Sequence, residues 1–397
     1  MPNTLKRRIG PGLLTAYGIG IMVGAGIYVL TGAAAGEAGM WAPVAFLLGA
    51  LVAVPTALSF AELSARIPEA AGDSSYVEVG LQAHWLAVGV GMINVVAGTV
   101  AAAAVLRGGV GYLTSIVDIP FAVAVIGLGV ILTGVTIIGV LESLAFAALL
   151  TVIEVIGLIL VIGAGFAATP VETWALPMPA PEWNGVAAAT IFAVFAFIGF
   201  DDVVNMAEEV QNPERNMPRA ILYALAITAI LYAMVSLAAV RAVPREVLGV
   251  SERPLALVWE AGTGTSSVFL AAIAVAAALN GVLAQIVMAS RVLFGLGRRS
   301  LRFAIFYHAH PRFGTPVLAS VLVGVVVTGS ALTLPVAVLA EVTTLALLIV
   351  FAIVNAALIG AKRRRPESPF AVPGYVPWAG VTLSLGCFVA SVAGSLL

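Results

Sequence analysis

Two short stretches hold the residues best able to do chemistry, and both lie inside apolar runs. Gly18-Ile19-Gly20-Ile21-Met22-Val23-Gly24-Ala25-Gly26-Ile27-Tyr28 places four glycines in nine positions, each weakening a helix by about 1 kcal/mol relative to alanine. Phe195-Ala196-Phe197-Ile198-Gly199-Phe200-Asp201-Asp202 places a glycine and two carboxylates in another run. A helix interrupted at such points frees N–H groups at the start of its second half and C=O groups at the end of its first. The positive end of a half-helix faces an anion, and the negative end faces a cation. A solute with a carboxylate and an ammonium close together, as in an amino acid, suits a pair of such ends. The N–H groups of Gly24, Ala25 and Gly26 are expected to hold the carboxylate, since glycine lets backbone approach without a Cβ in the way. Main-chain carbonyls around Phe195, Ala196 and Ile198 are expected to hold the ammonium. Met22, just ahead of the first interruption, is counted with these substrate-facing positions.

Gly20-x-x-x-Gly24 also fits close packing between helices, but a second interrupted run with intramembrane carboxylates favours a broken helix. A nucleotide-binding loop is excluded by the G-x-G-x-x-x-G spacing and the absence of a preceding strand. Glu154 stands alone among apolar residues in Thr151-Val152-Ile153-Glu154-Val155. A lone carboxylate at membrane depth must pair, reach water or carry a proton, so Glu154 is a candidate for proton coupling, with a structural pair as the alternative. Asp201 and Asp202 suit the N-terminus of a second half-helix, and capping is the expected role of at least one of them. Asn94 and Asn280 are expected to hydrogen-bond between helices, Arg291 to snorkel, and Glu62 with Arg66 to form an ordinary surface pair, with an inner gate network as the alternative. His84, His308 and His310 make no zinc spacing and have no neighbouring triad partners. No metal, cofactor or enzymatic constellation is expected.

The elements that must position these groups are membrane helices. Of the 397 residues, 61% are hydrophobic and 10% charged, with a mean hydropathy of +1.10, against roughly a quarter charged in soluble domains. The net charge of -1 gives no basic field for nucleic acid, and the lone Cys387 gives no disulfide framework. A helix crossing the hydrocarbon needs about 20 apolar residues. Eleven stretches qualify, near 12–35, 41–66, 83–107, 120–140, 143–168, 185–209, 217–240, 266–296, 316–334, 337–361 and 376–396. Cytoplasmic ends keep the positive charge. With the N-terminus inside, Lys6, Arg7, Arg8, Arg66, Arg215, Arg219, Arg298, Arg299, Arg302, Arg312, Lys362, Arg363, Arg364 and Arg365 fall on the cytoplasmic side. Only Arg107, Arg241, Arg245 and Arg253 fall outside, and the odd number of spans puts the C-terminus outside as well. The two interrupted spans are the first and the sixth. An odd separation reverses the direction of crossing, the pattern of two inverted five-helix repeats, 12–168 and 185–361, with an extra span at 376–396.

The strings GIGIMVGAGIY, SFAELSARIPEAAG, FAFIGFDDVVNMAEEVQNPERNMPRAIL and HPRFGTPVLA resemble the amino acid-polyamine-organocation (APC) transporter superfamily, over most of the chain from Gly10 to about Lys362. The resemblance implies an all-α membrane protein of the five-plus-five inverted-repeat (LeuT-like) fold, with amino-acid substrates bound at Gly24, Ala25, Gly26, Phe195, Ala196 and Ile198. It also implies that Phe195 acts as a gate over the substrate. In related proton-coupled carriers a lysine stands at the position of Glu154, so the titratable group is kept with its charge reversed. Members that favour cationic substrates carry a glutamate where this chain has Ala97, which points to neutral amino acids. The segment from Ser300 to His310 departs from the family's usual loop. The expected partners are thus an amino acid, protons and the lipid bilayer. Competing readings are an exchanger or cationic carrier and, from other classes, a channel or a non-transporting receptor.

Overall fold

The computed structural model describes residues 9–68, 72–138, 144–175, 179–310 and 315–394. These residues are almost wholly helical, with a single bridging pair, Ile9 to Val210, as the only β-type pairing among them. The long helices are α1 (Pro11–Val23), α2 (Ala25–Ala38), α3 (Ala42–Arg66), α5 (His84–Thr114), α6 (Phe121–Ile138), α7 (Leu144–Ala167), α9 (Trp183–Ala196), α10 (Pro213–Ala242), α13 (Val268–Arg299), α14 (Val317–Thr333), α15 (Val336–Arg364) and α16 (Tyr375–Gly394). Shorter ones are α4 (Gly72–Leu81), α8 (Glu172–Ala175), α11 (Arg245–Val250) and α12 (Pro254–Thr263).

Among the described residues, eight helical stretches are long and apolar enough to cross a membrane, and α1, α9 and α14 are shorter apolar helices. Each of the eleven expected spans overlaps this set, the first being α1 together with α2 and the sixth matching α9 only as far as Ala196. Apolar side chains also face outward: Val130 of α6 and Val325 of α14 are each 65% exposed. A soluble protein does not display such faces on one helix after another. Inside the bundle the contacts are made by small residues. A Cβ on Gly49 of α3 would stand 2.8 Å from Ala193 of α9, and one on Gly36 of α2 would stand 2.9 Å from the backbone of Gly249.

Both expected interruptions are present, and they face each other. α1 ends at Val23, Gly24 turns away at φ -31°, ψ -174°, and α2 begins at Ala25. α9 ends at Ala196, a turn runs through Asp201, and Asp202–Glu209 follow as a 3-10 helix. The second half of the sixth span is therefore not α-helical. A 3-10 helix rises about 2.0 Å per residue, so eight residues reach about 16 Å, close to half of a hydrocarbon core of about 30 Å. The packing partners of the two interruptions are exchanged. α3, which follows α2, packs on α9, whereas α10, which follows the second interruption, packs on α1.

Gly20 and Gly24 turn out to serve different ends. A Cβ on Gly20 would run into Thr151 of α7, whereas one on Gly24 would meet only its own preceding turn. Gly199 sits at φ +123°, where a Cβ would also overlap the side chain of Ile21. Gly199→Ala is expected to lower stability by about 1–3 kcal/mol, read as a lower unfolding midpoint in detergent. An unchanged midpoint would mean that the turn relaxes without strain.

Candidate functional site

A cavity of about 640 Å³ opens between the two interruptions. Met22, Gly24 and Gly26 line it from α1 and α2, and Phe195, Ala196 and Ile198 from the end of α9. Opposite them stand Ala97, Gly98 and Ala101 of α5 and Asn280, Gly281 and Ala284 of α13. The sequence-predicted residues of the first and sixth spans thus meet around one space, although they lie about 170 positions apart. Ala25 supplies the first residue of α2, and its side chain lies outside the described residues.

The backbone groups are not all free. The N–H of Gly24 closes the last turn of α1 on the carbonyl of Gly20 at 3.2 Å. It therefore drops out of the expected donor set. The first N–H groups of a helix have no partner within it, which leaves those of Ala25, Gly26 and Ile27 at the head of α2. On the carbonyl side, Phe195 accepts from the N–H of Ile198 at 3.0 Å. The Tyr232 hydroxyl lies 2.5 Å from the carbonyl of Met22 and 3.1 Å from that of Ala196. Tyr232 is fully buried on α10 and caps the ends of both first halves with one O–H. It was missed in the sequence because an aromatic in an apolar helix reads as core.

The phenyl ring of Phe195 is buried and lies against Gly26, where a Cβ would stand 3.7 Å from the ring. Asp201 accepts from the N–H of Gly199 at 3.0 Å; it makes no side-chain bond to the head of the 3-10 helix, so it closes the turn instead of capping the helix as expected. Asp202 is approached by the amide of Gln285 at 3.4 Å, and Asn94 donates to Asp73 at 2.6 Å. All three aspartates line the cavity. Arg291 lines the cavity as well and is exposed.

Glu154 does not line the cavity; Thr151, one turn earlier on α7, does. Glu154 is 3% exposed, and among the described residues its Oε2 has no hydrogen-bond partner. The Tyr28 hydroxyl donates to its main-chain carbonyl at 3.2 Å, and the Tyr112 hydroxyl donates to that of Tyr28 at 2.7 Å.

Glu62 corrects a second expectation. Its side chain is wholly buried, pairing with Arg66 at 2.5 Å through one oxygen and with Lys362 at 2.7 Å through the other. The second oxygen also accepts from the N–H of Val372 at 2.8 Å. A surface pair was expected because its nearest partner is one turn away in sequence; the deciding partner lies on α15. At the same end, the N–H of Ile9 donates to Glu209 at 3.0 Å, and the N–H of Gln211 donates to Ile9 at 2.9 Å. Lys6, Arg7, Arg8 and Arg312 lie outside the described residues, as does the side chain of Glu208. Among the described residues, no group of three or more His, Cys, Asp or Glu is placed to hold a metal ion.

A chain whose broken helices enclose a midplane cavity is built to carry a solute, and comparison with known proteins agrees. Residues 13–396 match the family model described as amino acid permease. This chain belongs to the amino acid permease family. The permease is 31% identical to the methylthioribose transporter of Bacillus subtilis (strain 168), over 94% of this chain and 86% of that one. It is 27% identical to the branched-chain amino acid permease BcaP of the same organism, over 98% and 88%. To cationic amino acid transporter 4 of Homo sapiens the identity is 28%, over 94% of this chain and 62% of the relative. These relatives are transporters or permeases, and the permease is a multi-pass membrane transporter, not an enzyme.

Asp73 stands on α4, outside the spans. Burial pushes its carboxyl up to about 7, the charge of Asp201 adds to this, and the Asn94 amide opposes it. A carboxyl raised in the folded state contributes stability that is full below its ordinary range and is lost as pH rises through 7. Asp73→Asn removes that loss. The unfolding midpoint of the variant is expected to gain on the wild type between pH 5 and pH 8; a constant difference would mean that Asp73 does not titrate there.

Proposed function

We propose that the permease is a secondary transporter that moves neutral amino acids across the cytoplasmic membrane by alternating access, coupled to protons. On this reading its N-terminus is cytoplasmic, its C-terminus is external, and 12–168 and 185–361 are inverted repeats. The observation that carries the proposal is the meeting of two helix interruptions at one cavity. The head of α2 offers unpaired N–H groups to a carboxylate, while the ends of α1 and α9 offer carbonyls to an ammonium. The phenol of Tyr232 has one proton for two carbonyls, so acceptor capacity is left over for a ligand amine.

The side chain of the solute would lie toward Ala97, Gly98 and Ala101 on one wall and Gly281 and Ala284 on the other. These positions are small and uncharged, which favours neutral substrates, and the named substrate of BcaP is of that kind. Phe195 would close over the bound solute. Exchanged packing between the halves supports the inverted repeat. Basic residues also gather at two ends: Arg66, Lys362 and Arg364 at one, Arg107 and Arg253 at the other. The cavity is lined by Tyr17, Met206 and Leu296 near the first of these ends, so it faces the cytoplasm in the proposed orientation. Glu154, buried behind the α1 interruption and without a partner for Oε2 among the described residues, is the proposed proton carrier.

A second reading, a carrier of cationic amino acids or polyamines, is favoured by Asp73, Asp201 and Asp202 in the lining of the cavity. A thermal-shift screen of the purified protein against amino acids and polyamines separates the two, because a ligand at a hundred times its Kd adds about 2.7 kcal/mol. Neutral amino acids are expected to raise the midpoint. A response to arginine or polyamines alone would select the second reading, and no response to any of them would reject both. Glu154→Gln is expected to abolish the pH dependence of uptake while leaving ligand binding largely intact. Unchanged pH dependence would remove Glu154 from the mechanism.

A further inference from the structure

α13 does not end where the bundle ends. After Arg299 the chain continues as a 3-10 helix, Leu301–Phe306, in which no residue is buried. Its two faces differ. Phe303 and Phe306 pack on a small cluster formed by Val95, Leu293, Leu296 and Ala319, and Tyr307 stacks near Phe294 with ring centroids 4.9 Å apart. Leu301 and Ile305 point the other way, 95% and 68% exposed, with Arg302 exposed between them. Two aliphatic side chains are thus held out from the protein by an element that is itself firmly attached to it.

Charge says what covers them. From residue 261 to residue 340 the sequence has no Asp or Glu, while Arg298, Arg299, Arg302 and Arg312 fall within fifteen positions of one another. The lipid-facing belt also reaches this end of the molecule: Ile138 closes α6 at 60% exposure, Thr315 donates to the carbonyl of Ile137 at 2.6 Å, and Leu318 opens α14 at 47% exposure. Apolar side chains flanked by arginine, in a stretch of sequence without acidic residues, suit the headgroup region of an anionic leaflet, where each basic residue contributes about 1 kcal/mol.

We propose that the Leu301–Tyr307 segment is an interfacial foot that seats Leu301 and Ile305 in an anionic lipid leaflet and so holds the mouth of the cavity. The connection to the mouth is short. Leu296 lines the cavity and also belongs to the cluster on which Phe303 and Phe306 rest. Moving the foot would therefore move a wall of the cavity.

The test uses the full-length protein with Cys387→Ser, spin-labelled at Ile305→Cys and reconstituted into phosphatidylcholine vesicles with or without phosphatidylglycerol. With phosphatidylglycerol the label is expected to be open to oxygen and several-fold less accessible to a water-soluble nickel chelate than without it. Adding Arg302→Gln is expected to shrink that difference. Equal accessibility in the two vesicles would overturn the proposal, as would dipolar coupling between labels, which would make the occupant a second copy of the chain. The same measurement at Leu301→Cys decides the matter if the Ile305 variant does not fold. None of these readings depends on what solute the protein carries.

Discussion

Hydrocarbon offers backbone no hydrogen-bond partner, so a helix that breaks at membrane depth must find partners within the protein or open onto a polar cavity. The rest of this molecule depends on how that constraint is met at Gly24 and at residues 197–201. On the carbonyl side it is met by one side chain. The Tyr232 hydroxyl reaches the ends of both α1 and α9, and having a single proton it cannot donate fully to both. On the amide side, Gly199 is served by Asp201, while the N–H groups that head α2 are left to the cavity. On the proposed reading, the head of α2 presents its donors to an anionic group, with the carbonyl ends beside it for a cationic one.

Much of this was legible in the sequence because it rests on patterns that hydrocarbon imposes. Span length and hydropathy located the eleven segments, since the membrane filters residue type along each one. The glycines marked the first interruption, and Gly199 with its aspartates marked the second. What was not legible depended on tertiary neighbours. The 3-10 form of Asp202–Glu209 leaves no composition signal. Nothing local distinguishes Tyr232 from a core aromatic such as Tyr112. Glu62 and Arg66 read as a surface pair, because the lysine that decides their burial is 300 positions away on α15. The short helices α4, α11 and α12 are too brief and too polar to stand out, yet α4 brings Asp73 into the cavity.

Gly20 and Gly24 show why a motif can be read two ways and be right in both. Small residues four apart bring helices together, and Gly20 does that against Thr151. Gly24, in the same motif, ends the helix. The difference lies in the neighbours: Gly20 has a wall against it, whereas Gly24 has open cavity. Glycine at both positions follows from one property, the absence of a Cβ, used once for contact and once for backbone freedom.

On the proposed mechanism, one group of helices must rock against another, and the hydrogen bonds show where that costs least. Ile9 ties the entry to α1 to the end of the 3-10 helix through two backbone bonds, so the inner halves of the two broken spans move together. Glu62 ties α3 to Lys362 of α15 and to Val372. Removing one partner of such a buried pair costs about 3–5 kcal/mol, so α15 stays with α3 at that end. Two side-chain hydrogen bonds bear on the wall across the cavity. Tyr112 donates to Tyr28 at 2.7 Å on the far side of the interruption, but nearer the mouth Gln285 reaches Asp202 only at 3.4 Å. On the proposed mechanism, such a boundary would open at its mouth, toward the face that carries the N-terminus. On that mechanism, reversal would require the Tyr112 bond to break while the contacts around Asp202 tighten.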